Sequence, residues 1–350
     1  MDRIEKIIKQ VARKIADRSV DAFLVSDQKD LLYISGFSVP GAMALLFPDK
    51  PPVYFIDGMN FSLAEEELCG TPFSDPVRGD VRSNLAQFCS EAGIARLGID
   101  PGALTKKEAD FFSDRLDDTE FVDLSGFIAA MRSVKSGSEI VSMRRSARLA
   151  SSVWKKLRGS LCAGMTEIEI ASLADMTIRE TGCVNSFPTI AATGPNSSFP
   201  HAVPTRRKLG AGEHLLVDFG LIYNGYCSDL TRIYYKGRIN RQIGGFLKAV
   251  RKARDEAIAR IRPGVMISTV AAHVNNIIKE EGFGPYLLHG LGHGLGLEVH
   301  ERPYIGISCR ERFRKGMVVT VEPGLYLKGL GGVRIEDMVL VTAKGCEVLS

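Results

Sequence analysis

An internal duplication in the C-terminal part of the chain constrains its fold more than any other feature of the sequence. Ala163–Thr166 opens a stretch with helical spacing of apolar residues, and Pro263–Met266 opens a similar stretch one hundred residues later. Thr166 and Glu169 form a capping-box pattern at the first start, and a glycine ends each stretch. A loop with histidine and strands with acidic residues follow each helix. We therefore predict two α+β halves related by a pseudo-twofold axis, with a site between them.

The segment 215–235 predicts a β-hairpin in the first half. Asn224-Gly225 separates two apolar-rich runs and is typical of a type I′ turn. A two-residue turn pairs Tyr223 with Tyr226, and the register of the two strands runs outward from that pair.

Two aspartates, Asp218 and Asp229, lie in this hairpin inside otherwise apolar strands. In the predicted register Asp218 faces Thr231 and Gly220 faces Asp229, so the four positions share one face. The aspartates are then diagonal neighbours about 7–8 Å apart. Carboxylates this close repel each other unless cations lie between them, and a pair of divalent metal ions removes the repulsion. In the alternative interpretation one aspartate is a surface residue bonded to water or to Arg232.

The second half repeats this arrangement of carboxylates. Val318–Val321 predicts a buried strand that ends at Glu322, the glycines of residues 329–332 predict a loop, and Val333–Glu336 begins the return strand. The two aspartates of the first hairpin lie 104 and 107 residues before Glu322 and Glu336. The two carboxylate pairs therefore occupy equivalent places in the duplicated halves.

Histidines complete the predicted site. The six in the chain are His201, His214, His273, His289, His293 and His300. Three of them fall in the glycine-rich segment 289–301, where glycines allow the backbone to approach a ligand closely. We interpret His214 and His273 as structural. Four carboxylates with one imidazole form a hard ligand set that suits Mn²⁺, Co²⁺ or Zn²⁺.

The N-terminal third predicts a separate α/β domain, residues 1–131, in which nothing looks catalytic. Apolar residues recur at helical spacing over residues 2–18, and short apolar runs then alternate with helix-like stretches. The runs are Ala22–Val25, Ala44–Phe47, Val53–Ile56 and Leu97–Ile99, and the helix-like stretches are 62–68 and 103–115. A charged segment from Arg132 then opens a long amphipathic helix, which is typical of a domain junction. The second domain is therefore predicted as residues 132–350.

Composition excludes several classes of function. The net charge of +4 comes from 45 basic and 41 acidic residues without any basic run, so nothing favours nucleic acid or a membrane surface as a partner. No stretch approaches the roughly 18 consecutive apolar residues of a membrane helix, and the charged N-terminus is unlike a signal peptide. Seven cysteines without a CxxC pair predict reduced thiols. We expect a cytoplasmic protein with a small-molecule or peptide substrate.

With these features assembled, the chain resembles the pita-bread metallopeptidase family, in the branch that contains prolidase (Xaa-Pro dipeptidase) and aminopeptidase P. The resemblance covers nearly the whole sequence. It rests on Leu32–Phe37, Arg132–Ser136, Phe199–His201, the Asp218/Asp229 hairpin, His289–His300, Glu322–Gly324 and Arg334–Glu336. It implies a creatinase-type α/β N-terminal domain followed by an α+β pita-bread catalytic domain with pseudo-twofold halves.

The resemblance also implies two divalent metal ions, with Mn²⁺ preferred over Co²⁺ or Zn²⁺. All five positions that match the family's metal ligands hold the expected residue: Asp218, Asp229, His293, Glu322 and Glu336. Of these, Asp218 and Glu336 would bridge the two ions.

Further roles follow from the same resemblance. The candidate catalytic residues are His201, His289, His300 and Glu322. Glu322 would carry a proton to the leaving nitrogen, and His201 or His300 would stabilise the oxyanion. The three histidines and Arg334 are candidate substrate-binding residues, although Arg334 could equally only balance the local acidic charge. Arg302 either binds the C-terminal carboxylate of a dipeptide or is a solvated loop residue.

The implied activity is hydrolysis of Xaa-Pro bonds by a homodimer whose N-terminal domain helps to close off the partner's active site. We favour a dipeptidase because the chain is short and its N-terminal domain compact. Aminopeptidase P, which acts on longer peptides, is the alternative. The extra N-terminal domain disfavours a methionine aminopeptidase, and the intact ligand set disfavours a non-catalytic pita-bread binding protein.

Overall fold

The computed structural model describes residues 3–350 and consists of two compact units. The first unit ends at Met131, and the second is Arg132–Ser350. Residue 2, the first of the helix predicted over 2–18, lies outside the described residues. Among residues 3–350 no helix is both long and apolar enough to cross a membrane.

From Arg3 onward, the first unit contains six strands and six α-helices. In chain order they are α1 Arg3–Ala16, β1 Ala22–Val25, α2 Gln28–Ser35, β2 Met43–Leu46, β3 Val53–Ile56, α3 Phe61–Glu67, β4 Val77–Arg78, α4 Val81–Glu91, β5 Arg96–Ile99, α5 Lys106–Ser113, β6 Glu120–Asp123 and α6 Phe127–Arg132. The strands form one mixed sheet in the order β4-β3-β2-β1-β5-β6. Strands β1, β5 and β6 are parallel to one another, whereas β2 is antiparallel to both of its neighbours.

The predicted strands of this unit are confirmed to within one residue. Apolar runs form strands here because helices cover the sheet, and the core includes Leu24, Leu45, Phe55 and Leu97. Helix α5 begins three residues later than predicted because Thr105 caps it, with its side chain accepting from the N–H of Glu108.

The second unit contains four α-helices and thirteen strands among its residues. In chain order they are α7 Gly137–Ser160, α8 Glu167–Glu180, β7 Val184–Asn185, β8 Ile190–Thr193, β9 His214–Phe219, β10 Leu221–Tyr223, β11 Tyr226–Cys227, β12 Leu230–Tyr235, α9 Arg241–Arg260, α10 Ile267–Glu280, β13 Gly292–Gly294, β14 Glu301–Ile305, β15 Val318–Val321, β16 Gly324–Leu327, β17 Gly331–Arg334, β18 Asp337–Val341 and β19 Cys346–Val348. The sheets have the orders β12-β9-β8, β11-β10-β7, β14-β13-β15-β18-β19 and β16-β17.

The predicted duplication is confirmed in the order and pairing of these elements. Helices α8 and α10 have 14 residues each, and the predicted capping box starts α8. A single bridge joins Thr166 to Lys208 in the first half, and an equivalent bridge joins Met266 to Arg312 in the second. Each half also has its own apolar core, one around Leu215 and the other around β15. The second unit is therefore α+β, as predicted.

The hairpin of the first half has the predicted register. Asn224 and Gly225 have φ of 49° and 80°, as a type I′ turn requires. Tyr223 pairs with Tyr226, and further out Asp218 pairs with Thr231. Between these pairs the ladder is interrupted, so each arm of the hairpin forms two strands.

The return strand of the second half begins two residues earlier than predicted, at Gly331. Gly331 and Gly332 are not a loop but pair with Leu327 and Tyr326 in the β16-β17 ladder. A Cβ at Gly332 would overlap the carbonyl oxygen of Ser197, so this glycine serves close packing of two backbones.

Candidate metal centre

One cavity of about 1100 Å³ in the second unit contains every site residue that the sequence predicts. Those residues are His201, Asp218, Asp229, His289, His293, His300, Glu322, Arg334 and Glu336. Arg302 also lines the cavity. His214 and His273 are not among the lining residues. His214 is instead buried against the hydroxyl of Ser197, and His273 contacts Glu256.

Interruptions in the strand ladders position the carboxylates of both halves. Asp229 lies between β11 and β12, and Glu336 lies at the equivalent place between β17 and β18. Asp218 is in β9, and Glu322 directly follows β15. All except Glu322 are buried, and Glu336 is only 1% exposed. The duplicated fold therefore brings two acidic pairs into one cavity.

The hydroxyl of Thr231, in the first half, contacts residues of the second half. Thr231, the partner of Asp218 in the hairpin register, donates to Glu336 Oε2 at 2.8 Å. Its oxygen also accepts from Arg334 Nε at 3.0 Å. The predicted register put Thr231 on the acidic face, so its position could have been read from the sequence.

Three of the predicted ligands form the closest group. One ligand atom each from Asp229, His293 and Glu336 lies within 4.8 Å of the others. His293 Nε2 is 3.7 Å from Asp229 Oδ2 and 3.2 Å from Glu322 Oε1. The other ring nitrogen, Nδ1, donates to the carbonyl of Gly294 at 3.0 Å. Nε2 therefore faces the carboxylates, which is the usual orientation of a histidine that binds a metal ion.

The buried oxygens around this group fit a divalent cation. Within residues 3–350, Asp218 Oδ1, Asp229 Oδ1 and Glu336 Oε1 are buried and have no hydrogen-bond partner. Buried carboxylate oxygens of this kind are costly unless a cation neutralises them. Burial, and then the charge of Glu336, raise the pKa of Asp229 well above its ordinary value. Burial, followed by the charges of Glu322 and Asp218, raises the pKa of Glu336 to about 8.

Arg334 holds the Asp218 side of the cavity. Its Nη2 donates to Asp218 Oδ2 at 2.6 Å, and its Nη1 donates to the Tyr326 hydroxyl at 2.6 Å and to the carbonyl of Pro200 at 3.3 Å. With Nε on Thr231, four of the five N–H groups are used. This arrangement favours a supporting role over binding of substrate.

Tyr326 connects Arg334 to His289. The His289 Nδ1 donates to the carbonyl of Gly290 at 2.8 Å, so its Nε2 accepts from the Tyr326 hydroxyl at 2.9 Å. Burial, as the largest effect, raises the pKa of Tyr326 to about 12, so it stays a donor. No pattern in the sequence singled out Tyr326. The position 104 residues earlier is Ile222, so the duplication gave no signal for it.

The other two predicted histidines lie at the edge of the cavity. His201 and His300 are both exposed side chains that line it. The ring of His300 lies 4.3 Å from the ring of His293, measured between centroids. Both are therefore within the same space as the acidic group, where a bound molecule would contact them.

Comparison with known families assigns both units. The family profile described as "Metallopeptidase family M24" matches residues 141–343. A second profile, "Creatinase/Prolidase N-terminal domain", matches residues 7–134. An uncharacterized peptidase of Staphylococcus epidermidis is 33% identical over 351 residues, which is 98% of each chain.

Solved structures similar to this chain include enzymes of two specificities. An Xaa-Pro dipeptidase from Bacillus anthracis matches with a TM-score of 0.93 and 29% identity, over 99% of this chain and 97% of the other. The prolidase from Pyrococcus horikoshii OT3 gives a TM-score of 0.92 and 29% identity, over 98% and 97%. An X-Pro aminopeptidase from Thermotoga maritima MSB8 gives 0.86 and 28%, over 99% and 97%.

Proposed function

The chain belongs to metallopeptidase family M24, and from this membership we propose that it is a metal-dependent dipeptidase that hydrolyses Xaa-Pro bonds. The observation that carries the proposal is the cavity that brings four carboxylates together with His293, with three buried oxygens that have no partner within residues 3–350. The names of the similar dipeptidase and prolidase structures support the preference for proline. Because the similar Thermotoga structure is an X-Pro aminopeptidase, aminopeptidase P activity remains the alternative.

We propose that Asp218, Asp229, His293, Glu322 and Glu336 hold two divalent ions, with Mn²⁺ the preferred one. When bound, such ions lower the pKa of water toward neutrality and polarise a peptide carbonyl. Several oxygen ligands with one imidazole suit Mn²⁺, Co²⁺ or Zn²⁺.

Glu322 is proposed to carry the proton to the leaving nitrogen. Although burial opposes ionisation, the hydrogen bond and the charge of His293 lower the pKa of Glu322. Its Oε1 accepts from the hydroxyl of Thr320 at 3.3 Å, which orients the carboxylate. A carboxylate held in this way can take a proton and pass it to the amide nitrogen, which must be protonated to leave when proline follows.

The histidines around this group are proposed to bind substrate. His201 and His300 are exposed to the cavity and can donate to the developing oxyanion. His289 is fixed by Tyr326 and suits the proline side of the pocket. For Arg334 we propose that orientation of Asp218 is its main role.

A peptide-length experiment tests the proposed function. Mn²⁺-loaded protein is incubated with Ala-Pro, with Ala-Ala and with a longer Xaa-Pro peptide, and the products are separated chromatographically. We expect cleavage of Ala-Pro only. Preferential cleavage of the longer peptide would establish the aminopeptidase alternative. Absence of any cleavage by metal-loaded protein would contradict the peptidase proposal.

Arg302 is our candidate for the C-terminal carboxylate of a dipeptide. It is exposed to the cavity and follows Glu301, whose buried carboxylate accepts from Arg132 at 2.6 Å. We expect R302Q to raise the KM for Ala-Pro about tenfold, because one charge-assisted hydrogen bond is lost. The KM for Ala-Pro amide, which has no carboxylate, should not change.

The control is R310Q, because Arg310 also lines the cavity. A larger increase in KM from R310Q than from R302Q would contradict the assignment.

We propose a cytoplasmic homodimer on two further observations. The seven cysteines form no disulfide within residues 3–350, which fits a reducing compartment. Apolar side chains stand exposed at the mouth of the cavity, with Val203 79%, Leu288 60% and Tyr304 61% exposed. Exposed apolar groups around a site favour a covering partner.

A further inference from the structure

Glu167 is a buried carboxylate outside the metal centre. It is the first residue of α8 and is 0% exposed. Its Oε1 accepts from the N–H and the hydroxyl of Thr193, at 2.7 and 2.9 Å. Its Oε2 accepts from the N–H and the hydroxyl of Thr205, at 2.9 and 2.6 Å. The amide of Asn196 donates to both oxygens, at 3.1 and 3.0 Å.

These contacts hold both ends of one loop. Thr193 is the last residue of β8, Asn196 lies in the 3-10 turn that follows, and Thr205 lies beyond the far end of the loop. His201 is between them and lines the cavity. The carboxylate therefore fixes both ends of the segment that carries this histidine. In every side-chain contact the Glu167 carboxylate is the acceptor. The N–H groups of a glutamine at this position would therefore point at other hydrogen-bond donors.

Arg207 extends this network. Its Nη1 donates to the Thr193 hydroxyl at 2.7 Å and to Glu213 at 2.8 Å. The Thr193 hydroxyl donates its own hydrogen bond to Glu167. The positive charge of Arg207 therefore acts on the buried carboxylate through Thr193.

The duplicated half has no carboxylate at the equivalent position. The equivalent residue, Ile267, is also 0% exposed and starts α10. Its N–H donates to the carbonyl of Glu311 at 3.0 Å, as that of Glu167 donates to Arg207 at 3.0 Å. The backbone contact is common to both halves, whereas the carboxylate belongs only to the half with the His201 loop.

We infer that Glu167 is a positioning residue, which holds the loop of residues 194–204 so that His201 stays directed into the cavity. The use of His201 in turnover rests on the proposed function. The constraint on the loop does not, because it follows from the contacts of Glu167 alone.

The test uses E167Q, with E169Q as the matched control. Glu169 lies two residues away in the same helical turn, is exposed, and only completes the capping box with Thr166. Hydrogen exchange followed by mass spectrometry should show about tenfold faster exchange of residues 193–205 in E167Q. Exchange of residues 292–305 should stay unchanged, and E169Q should resemble the unmodified protein in both segments.

Kinetics with Ala-Pro supply the second measurement. We expect kcat of E167Q to fall about 10- to 100-fold with little change in KM, because a group that only orients another is lost. H201A should have a similar effect, and the double variant should lose little more than H201A alone. A purely structural role would lower the melting temperature and leave kcat of the folded fraction unchanged.

Two results would overturn the inference: unchanged exchange of residues 193–205 in E167Q, or fully additive losses in the double variant. If E167Q does not fold, T205V can be used instead, because it removes one of the contacts of Glu167. We expect the same changes in exchange and in kcat. Should the unmodified protein cleave no Xaa-Pro substrate, the proposed function fails, and the exchange experiment still decides the role of Glu167 in the loop.

Discussion

D229N is expected to abolish hydrolysis of Ala-Pro while leaving the melting temperature of the metal-free protein unchanged or higher. Asp229 is 4% exposed, and its Oδ1 has no hydrogen-bond partner within residues 3–350. In the absence of metal, burial and three neighbouring carboxylates disfavour its ionised form, so a neutral amide of the same shape removes an unfavourable interaction. In the presence of metal a ligand is lost, and the loss should exceed the roughly 10- to 100-fold effect of outer-shell substitutions.

The measurements are metal content by elemental analysis, melting temperature with and without Mn²⁺, and turnover. For the unmodified protein, Mn²⁺ should raise the melting temperature because a ligand that binds only the folded state stabilises it. For D229N this rise should be much smaller. A metal-free D229N that melts several degrees lower, or one that keeps full turnover, would refute the assignment of Asp229.

The matched control for this prediction is D337N. Asp337 is also buried and follows Glu336 directly, yet its oxygens contact Arg232 at 2.8 Å and Arg254 at 3.2 Å. D337N would leave two partly buried arginines without their carboxylate, which should cost about 1–3 kcal/mol. The same chemical change should therefore destabilise the metal-free protein at position 337 and not at position 229.

G220A is expected to destabilise the second unit by about 3 kcal/mol and to weaken metal binding. Gly220 lies where the first hairpin is interrupted, opposite Asp229. A Cβ at Gly220 would overlap the backbone carbonyl oxygen of Ser228 and the side chain of Ser186. Because the obstacle is backbone, rotation of a side chain cannot relieve it, and the cost reaches the upper part of the range for overpacking. To remove the overlap, the backbone at Ser228 would have to move, and this would displace Asp229.

Urea unfolding of metal-free protein measures the first effect and Mn²⁺ titration the second. G159A is the control, because Gly159 lies in α7 and a Cβ there meets nothing within 4 Å. Because Gly159 is the next-to-last residue of α7, alanine there should change the free energy of unfolding by less than about 1 kcal/mol. A G220A protein as stable as G159A would show that the interruption tolerates a side chain.

Local signals in the sequence were sufficient to predict the hairpin and the duplication. Asn224-Gly225 determined the turn, and period-two alternation then placed Asp218 and Thr231 opposite each other. Helix α2 was not predicted, although Asp27 caps it and Gly36 ends it with φ of 82°. It has eight residues, of which four, including a tyrosine and a serine, are buried, so the period of its apolar residues is weak.

The acidic residues and histidines that line the cavity were predictable, whereas the residues that hold them in place were not. The carboxylates stand out because acidic residues in apolar strands need a partner. Tyr326 and Glu167 act through contacts with residues far away in the sequence, such as His289 and Thr205. Only folding brings these groups together, so neither the periodicity of apolar residues nor the spacing of motifs predicts them.

The proposed two-metal peptidase site is tested most directly by counting metal ions against turnover. Protein stripped with chelator is titrated with Mn²⁺, and bound metal per chain and hydrolysis of Ala-Pro are measured on the same samples. We predict no hydrolysis by stripped protein, and turnover that rises with bound metal until two ions per chain are present. Full hydrolysis by metal-free protein, or saturation with metal without any hydrolysis, would contradict the proposal.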